Sequence, residues 1–172
     1  MIWQVTALEQ DSRQGMLEGP LVSAKCALGR SGIIPEDSKE EGDGMSPVGT
    51  YPFRRVFFRP DKIEEPITLL NVQPLSADLG WCDDPEDKAY NKLVRLPYGP
   101  SHEKLWRDDD VYDVIVELGH NDAPPVAGKG SAIFMHIARE GYTPTEGCIA
   151  LKLEDMLAFL RLVKPEDQIK IG

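Results

Sequence analysis

The 172-residue chain is short of cysteine, of positive charge and of long apolar runs, and each shortage closes off a class of protein. Its three cysteines, Cys26, Cys82 and Cys148, are too few and too odd in number for a disulfide framework. At least one thiol stays unpaired within a monomer. Lysine and arginine total 19 against 29 acidic residues, a net charge of −10. That balance argues against binding a phosphate backbone, so no nucleic-acid partner is expected. No run approaches the roughly 18 apolar residues of a membrane helix, so no integral membrane segment is expected either. The opening IWQVTALEQD has neither the basic start nor the apolar stretch of a secretory signal. There are no repeats, heptads or low-complexity tracts. What is present, 41% hydrophobic residues over this length, suits one domain with a real core, spanning residues 1–172.

Short apolar runs broken by turns dominate. Residues 2–8 read as a strand, and so do 22–28, where Val22, Ala24, Cys26 and Leu28 alternate with Ser23, Lys25 and Ala27. Residues 29–49, with their glycines and the EDSKEEGD run, read as an exposed loop. Strand character resumes at 51–58 and 67–75. A loop-rich insertion follows at about 76–110, rich in aromatics and acids, and long loops of this kind are often functional. Residues 111–118 and 131–137 read as strands, the second apolar enough to be buried on both faces. Leu153, Met156, Leu157, Leu160 and Val163 recur at helical spacing, with Glu154 and Asp155 in the first turn, Arg161 and Lys164 near the end, and Pro165 as terminator. A short strand at 169–171 closes the chain. The fold class expected is mainly β, with one packed C-terminal amphipathic helix and long loops.

The chemistry concentrates in SAIFMHIAREGYTPTEGCIALKLEDM. His136 ends a buried run, and Cys148 follows behind Gly147 after an excursion that can bring the two side chains together. A neighbouring imidazole turns a thiol into a nucleophile and can later protonate a leaving amine. Amides around Gly147 and Cys148 can face a developing oxyanion. Two other readings stand beside this one. The pair can be a satisfied structural histidine and a buried thiol, or His102, His120, His136 and Cys148 can supply zinc ligands. No CxxC or HExxH pattern supports the metal, and a thiol with an imidazole carries acyl transfer unaided, so no metal and no cofactor are expected.

The segment SPVGTYPF at residues 46–53 resembles the TPxGxF segment of the L,D-transpeptidase catalytic domain, the YkuD-like family of peptidoglycan enzymes. TEGCIAL resembles that family's Gly-Cys block, and with SAKCALGR the likeness runs from about residue 20 to the end. The resemblance implies Cys148 as nucleophile, His136 as base, Ile137 as orienter of the base through its carbonyl, and Gly147 with Cys148 as oxyanion region. Thr145 matches the Ser/Thr before Gly-Cys, and Tyr142 would line the approach. It also implies peptidoglycan stem peptides as partners and a periplasmic or cell-wall location. With no signal peptide visible, a cytoplasmic or specially secreted protein stays open.

Three positions depart from the family pattern. Glu146 stands where many relatives have a second histidine, and a nearby negative charge opposes a thiolate unless it pairs with a cation. Ala150 stands where many have arginine, so another residue must meet a substrate carboxylate. The loop from His136 to Cys148 is also shorter. The middle region offers replacements: Arg95 or Arg107 for a carboxylate and Asp83, Asp84 or Asp87 for an amine. Trp81, His102, Lys104, Trp106 and Tyr112 lie near them, and His120 with Asn121 is a further pocket wall or a turn residue. The activity expected is L,D-transpeptidation through a Cys148 thioester. An L,D-carboxypeptidase or endopeptidase, or a non-catalytic peptidoglycan-binding domain, is the alternative.

Overall fold

A computed structural model describes residues 1–172. Thirteen strands and one α-helix follow in chain order: β1 (Ile2–Leu8), β2 (Asp11–Gly19), β3 (Val22–Ala27), β4 (Ile33–Pro35), β5 (Ser46–Phe58), β6 (Asn71–Pro74), β7 (Leu79–Cys82), β8 (Leu93–Arg95), β9 (His102–Lys104), β10 (Val114–Leu118), β11 (Phe134–Ile137), β12 (Ile149–Leu151), α1 (Leu153–Leu160) and β13 (Gln168–Ile171). The fold is mainly β with one C-terminal helix, as the patterning predicts.

The main sheet runs β10-β11-β12-β3-β2-β1-β13-β5-β4, with β6 also on β5. β10 pairs with β5 as well as β11, so the path from β10 round to β5 closes into a ring. Closure removes free edges among those strands. The ring encloses the larger core, where Trp3, Leu17, Val56, Val116, Met135, Ile149 and Ile169 meet Met156, Phe159 and Leu160 from α1. Phe159 is the hinge of that packing. It lies edge-on to Trp3 at 4.7 Å between ring centroids and 5.4 Å from Phe53, with no exposure.

A second core lies on the other face of the same strands. Strand side chains alternate, so Val114, Val116 and Leu118 join the first core while Ile115 joins the second. Val56 and Phe57 split in the same way, as do Met135 and Phe134. A three-stranded sheet, β8-β7-β9, covers this outer face and contributes Leu79 and Trp81. The region read as irregular at 76–110 therefore carries three strands, each only three or four residues long. So short a run gives alternation no room to show.

Other boundaries move for local reasons. The sequence gives no sign of β2, because only Gly15 and Leu17 of its nine residues are buried and most of the rest are polar. The expected loop at 29–49 holds β4, pairing in parallel with the early part of β5, and it buries Lys39 and Ser46. β6 is confined to Asn71–Pro74, and Ile67 and Leu69 stand exposed before it. β10 and β11 start three residues later than expected; Ala132, ahead of β11, has φ +54°, which a strand does not allow. The helix ends at Leu160 rather than near Pro165, and the turn that follows still delivers Val163 to the core.

Phe159→Ala removes the ring that joins α1 to β1 and β5. The substitution is expected to cost about 3–5 kcal/mol, read as a lowered denaturant midpoint with unchanged slope. A loss under about 1 kcal/mol would mean that the helix is not part of the main core.

Candidate active site

The parallel ladder of β11 and β12 pairs Met135 with Ile149, His136 with Ala150 and Ile137 with Leu151. Alternation then sends Phe134, His136, Cys148 and Ala150 to the outer face, away from the core side taken by Met135 and Ile149. His136 and Cys148 both line one cavity of about 450 Å³, and each is 8% exposed.

The histidine is held in one tautomer. Its Nδ1 lies 3.0 Å from the carbonyl of Ile137, which can only accept, so Nδ1 carries the proton and Nε2 keeps its lone pair. The thiol is held too. Phe134 N–H donates to Cys148 Sγ at 3.4 Å, and Sγ–H donates to the Ala132 carbonyl at 3.2 Å. Burial pushes the Cys148 thiol up to about 12 and the His136 imidazole down to about 4. At neutral pH both are therefore uncharged, because burial disfavours either ion.

The turn ahead of Cys148 is tied from several sides. Thr145 Oγ1 donates to the Cys148 carbonyl at 2.7 Å and accepts from Gly147 N–H at 3.1 Å. Ser46, the first residue of the SPVGTYPF segment, donates to the Gly147 carbonyl at 2.8 Å and accepts from Gly29 N–H at 3.0 Å. Gly147 has φ +133°, and a Cβ there would sit 2.7 Å from the Met45 carbonyl oxygen, so only glycine fits. Thr145 thus braces the loop. Because it occupies the Gly147 amide, the Cys148 amide is the donor of that pair left without a partner.

Glu146 does not face the sulfur as a bare charge. Its carboxylate takes Arg30 Nε at 2.9 Å and is largely exposed. Ala150 lines the cavity without filling it, and Arg107 and Arg139 line the same cavity. Tyr112 also lines it, 5.5 Å from the His136 ring, with its hydroxyl donating to Glu103.

Of the sequence candidates, Cys148, His136, Thr145, Glu146, Asp83, Arg107 and Tyr112 line this cavity. Trp81, Asp84, Arg95, His102, Trp106 and Tyr142 do not. Trp81 is packed edge-on to Phe134 and donates to Asn91, which puts it in the second core. Asp84 accepts from the Glu86 amide within its own turn. Arg95 is exposed and pairs with Asp78 at 2.6 Å. His102 Nδ1 is bonded to the Pro100 carbonyl, and Trp106 is covered by Arg59 at 3.8 Å. Tyr142 lies under Lys25 and Lys152. His120 is buried beside Tyr51 and lines a separate cavity of about 260 Å³. His102, His120 and the His136–Cys148 pair thus stand in three places, which leaves the four-ligand zinc reading without a geometry. Lys39, Glu103 and Arg139 also line the cavity, and Ser46 holds its turn, without a motif of their own; for Arg139 and Ser46 the one signal in the sequence is membership of the His136–Cys148 block and of SPVGTYPF.

A neutral, buried thiol fixes an observable. Alkylation of Cys148 by iodoacetamide, followed by peptide mass mapping to separate it from Cys26 and Cys82, is expected to quicken about tenfold per unit from about pH 7 to about pH 10 without a plateau. A midpoint near 7 would instead indicate a preformed thiolate–imidazolium pair.

Comparison with known proteins adds the last fact. Neither curated proteins nor solved structures give a match to this chain. The family model of the YkuD L,D-transpeptidase catalytic domain, in contrast, matches residues 10–171 and so takes in both the glycine-turn cysteine and the strand that carries His136. On that match, the chain belongs to the YkuD family, the L,D-transpeptidase catalytic domain.

Proposed function

We propose that the protein is a cysteine acyltransferase acting on L,D-amide bonds of peptidoglycan stem peptides, with Cys148 as nucleophile and His136 as base. The observation that carries this reading is the shared cavity: Cys148 and His136 open into it from adjoining strands, with the imidazole already fixed by Ile137. The substrate class comes from family membership, and with it a periplasmic or cell-wall site of action.

The neutral pair sets the order of events. As sulfur adds to the carbonyl of the L-centre, His136 Nε2 takes the thiol proton, so no isolated thiolate forms in the buried site. The Cys148 amide donates to the oxyanion of the tetrahedral intermediate. Collapse breaks the C–N bond, and the imidazolium returns its proton to the departing D-amino acid's nitrogen. The thioester then meets an amine, whose proton passes to His136 and back to sulfur as the new amide forms. Water in place of the amine gives an L,D-carboxypeptidase or endopeptidase. A second reading, a stem-peptide-binding domain without turnover, is favoured by one observation only, the depth of burial that holds the thiol protonated.

Intact-mass analysis of wild type and Cys148→Ala with disaccharide tetrapeptide, with and without a D-amino acid, separates these. An acyl adduct on wild type alone, with exchanged or crosslinked product, is expected. Tripeptide as sole product would make the enzyme a hydrolase, and absence of both adduct and product would leave the binding domain. Because the competent form has a neutral imidazole, kcat/KM is expected to hold from about pH 7 to about pH 5 and to fall only through about 4. A limb near 6.5, the ordinary histidine value, would contradict the buried base.

A further inference from the structure

Residues 130–132 approach β11 without a ladder partner, and side chains claim their amides instead. Gly130 N–H donates to Tyr90 Oη at 3.0 Å, and Ala132 N–H donates to Asn91 Oδ1 at 3.0 Å. Tyr90 Oη and Ser131 Oγ both donate to Glu41 Oε1, at 2.7 and 2.5 Å. The backbone held in this way is not one that alanine favours. Ala132 has φ +54°, the left-handed region that a residue with a Cβ seldom adopts. Its consequence lies in the carbonyls that follow. Ile133 gives its carbonyl to the Leu118 amide of β10, whereas Ala132 gives its own to Cys148 Sγ–H at 3.2 Å.

Asn91 is the member of this set with no slack. It is 6% exposed, and all four hydrogen-bonding positions of its side-chain amide are filled. Oδ1 accepts from Ala132 N–H and from Trp81 Nε1, each at 3.0 Å. Nδ2 donates to the carbonyls of His120 at 3.1 Å and Asn121 at 2.8 Å. The amide cannot be turned over, because its oxygen faces two donors and its nitrogen two acceptors. Asn91 also has φ +57°, which asparagine tolerates better than most residues. One residue then separates this amide from the sulfur: Ala132 takes Asn91 with its N–H and Cys148 with its carbonyl.

We propose that Asn91 is a positioning residue for Cys148: by holding the Ala132 amide, it keeps the Ala132 carbonyl on the thiol and fixes the sulfur at the cavity wall. Its part in turnover rests on the acyl-transfer reading above. Two backbone groups, the Phe134 N–H and the Ala132 carbonyl, locate the sulfur before any substrate arrives. For proton transfer to His136 Nε2, only the hydrogen has to move, by rotation about Cβ–Sγ, while sulfur keeps its Phe134 contact. Without Asn91, Ala132 relaxes out of the left-handed region and its carbonyl turns away. The thiol then loses a bond that only its protonated form makes, and the sulfur loses its fixed place. Reactivity toward a small free reagent rises, while reactivity toward a positioned carbonyl falls.

The test compares wild type, Asn91→Ala and Asn91→Asp by iodoacetamide alkylation, with peptide mass mapping of all three thiols. Aspartate keeps an acceptor for the Ala132 amide and gives up both donors. Cys148 is expected to react about two- to tenfold faster in Asn91→Ala, the worth of one hydrogen bond, and no faster than wild type in Asn91→Asp. Cys26 in the main core, and Cys82, whose carbonyl takes the Asn91 amide, are expected to keep their wild-type rates. With disaccharide tetrapeptide at saturation, adduct formation in Asn91→Ala is expected to slow about ten- to hundredfold, with the half-saturating concentration within about twofold of wild type. Should the alanine variant not fold, Asn91→Ser, whose hydroxyl is too short to reach Ala132, carries the same contrast. Cys148 reacting no faster in the alanine or serine variant, aspartate behaving like alanine, or all three thiols quickening together would overturn the proposal. Its failure is separable from that of the acyl-transfer reading, because alkylation needs no substrate. A wild type that never forms an adduct sinks the transfer reaction and leaves the thiol's positioning standing. Adduct formation at an undiminished rate in Asn91→Ala sinks the positioning role alone.

Discussion

His136 and Ala150 face each other in a parallel ladder three residues long, and the rest of the site is arranged around that register. A shift of one residue would send His136 and Cys148 to opposite sides, one into the apolar core and one into the cavity. The register is fixed from both flanks. β11 is bonded to β10 and β12 to β3, within strands whose inward residues are fully buried. Hydrophobic packing on the inner face thus determines chemistry on the outer one.

Electrostatics in the cavity follow from burial more than from charge. The reactive pair is neutral because neither ion is solvated there, and the negative residue nearest in sequence to Cys148 is drawn outward by Arg30. A pair that rests uncharged places no separated ions in a buried position, where each would lack solvation. Burial of this kind also guards the thiol against adventitious oxidation, which proceeds through the thiolate.

What the sequence makes legible is whatever is local. Val22 to Leu28, the β-branched run of β10 and the amphipathic α1 announce themselves through period, and the Cys148–His136 block lies within one short segment. Distant relations are silent. Arg30 and Glu146 are 116 residues apart, and nothing in either flank foretells their pairing. Arg139 sits inside that same segment, but the Asp109 it meets arrives from another loop. Strands of three or four residues, as in the small outer sheet, are too brief for alternation to be counted, and β2 hides because its partner strands, not its own side chains, define it. Aromatic and charged residues in the middle region were a fair pool of candidates, yet Trp81, Arg95 and Trp106 spend themselves on packing or on ion pairs. Composition marks the neighbourhood; only the fold selects among its members.

The small β8-β7-β9 sheet lies against the ring without joining its hydrogen-bonded circuit, and the stretch just after β9 supplies Arg107 to the cavity. Cys148 and His136 belong to the ring, whereas part of the cavity wall comes from the stretch beside this outer layer. The two are divisible in a way that a one-layer site is not. Changes in length or sequence just after β9 can reshape that wall of the cavity while the register of β11 and β12 stays as it is, so the wall and the ladder are free to vary independently.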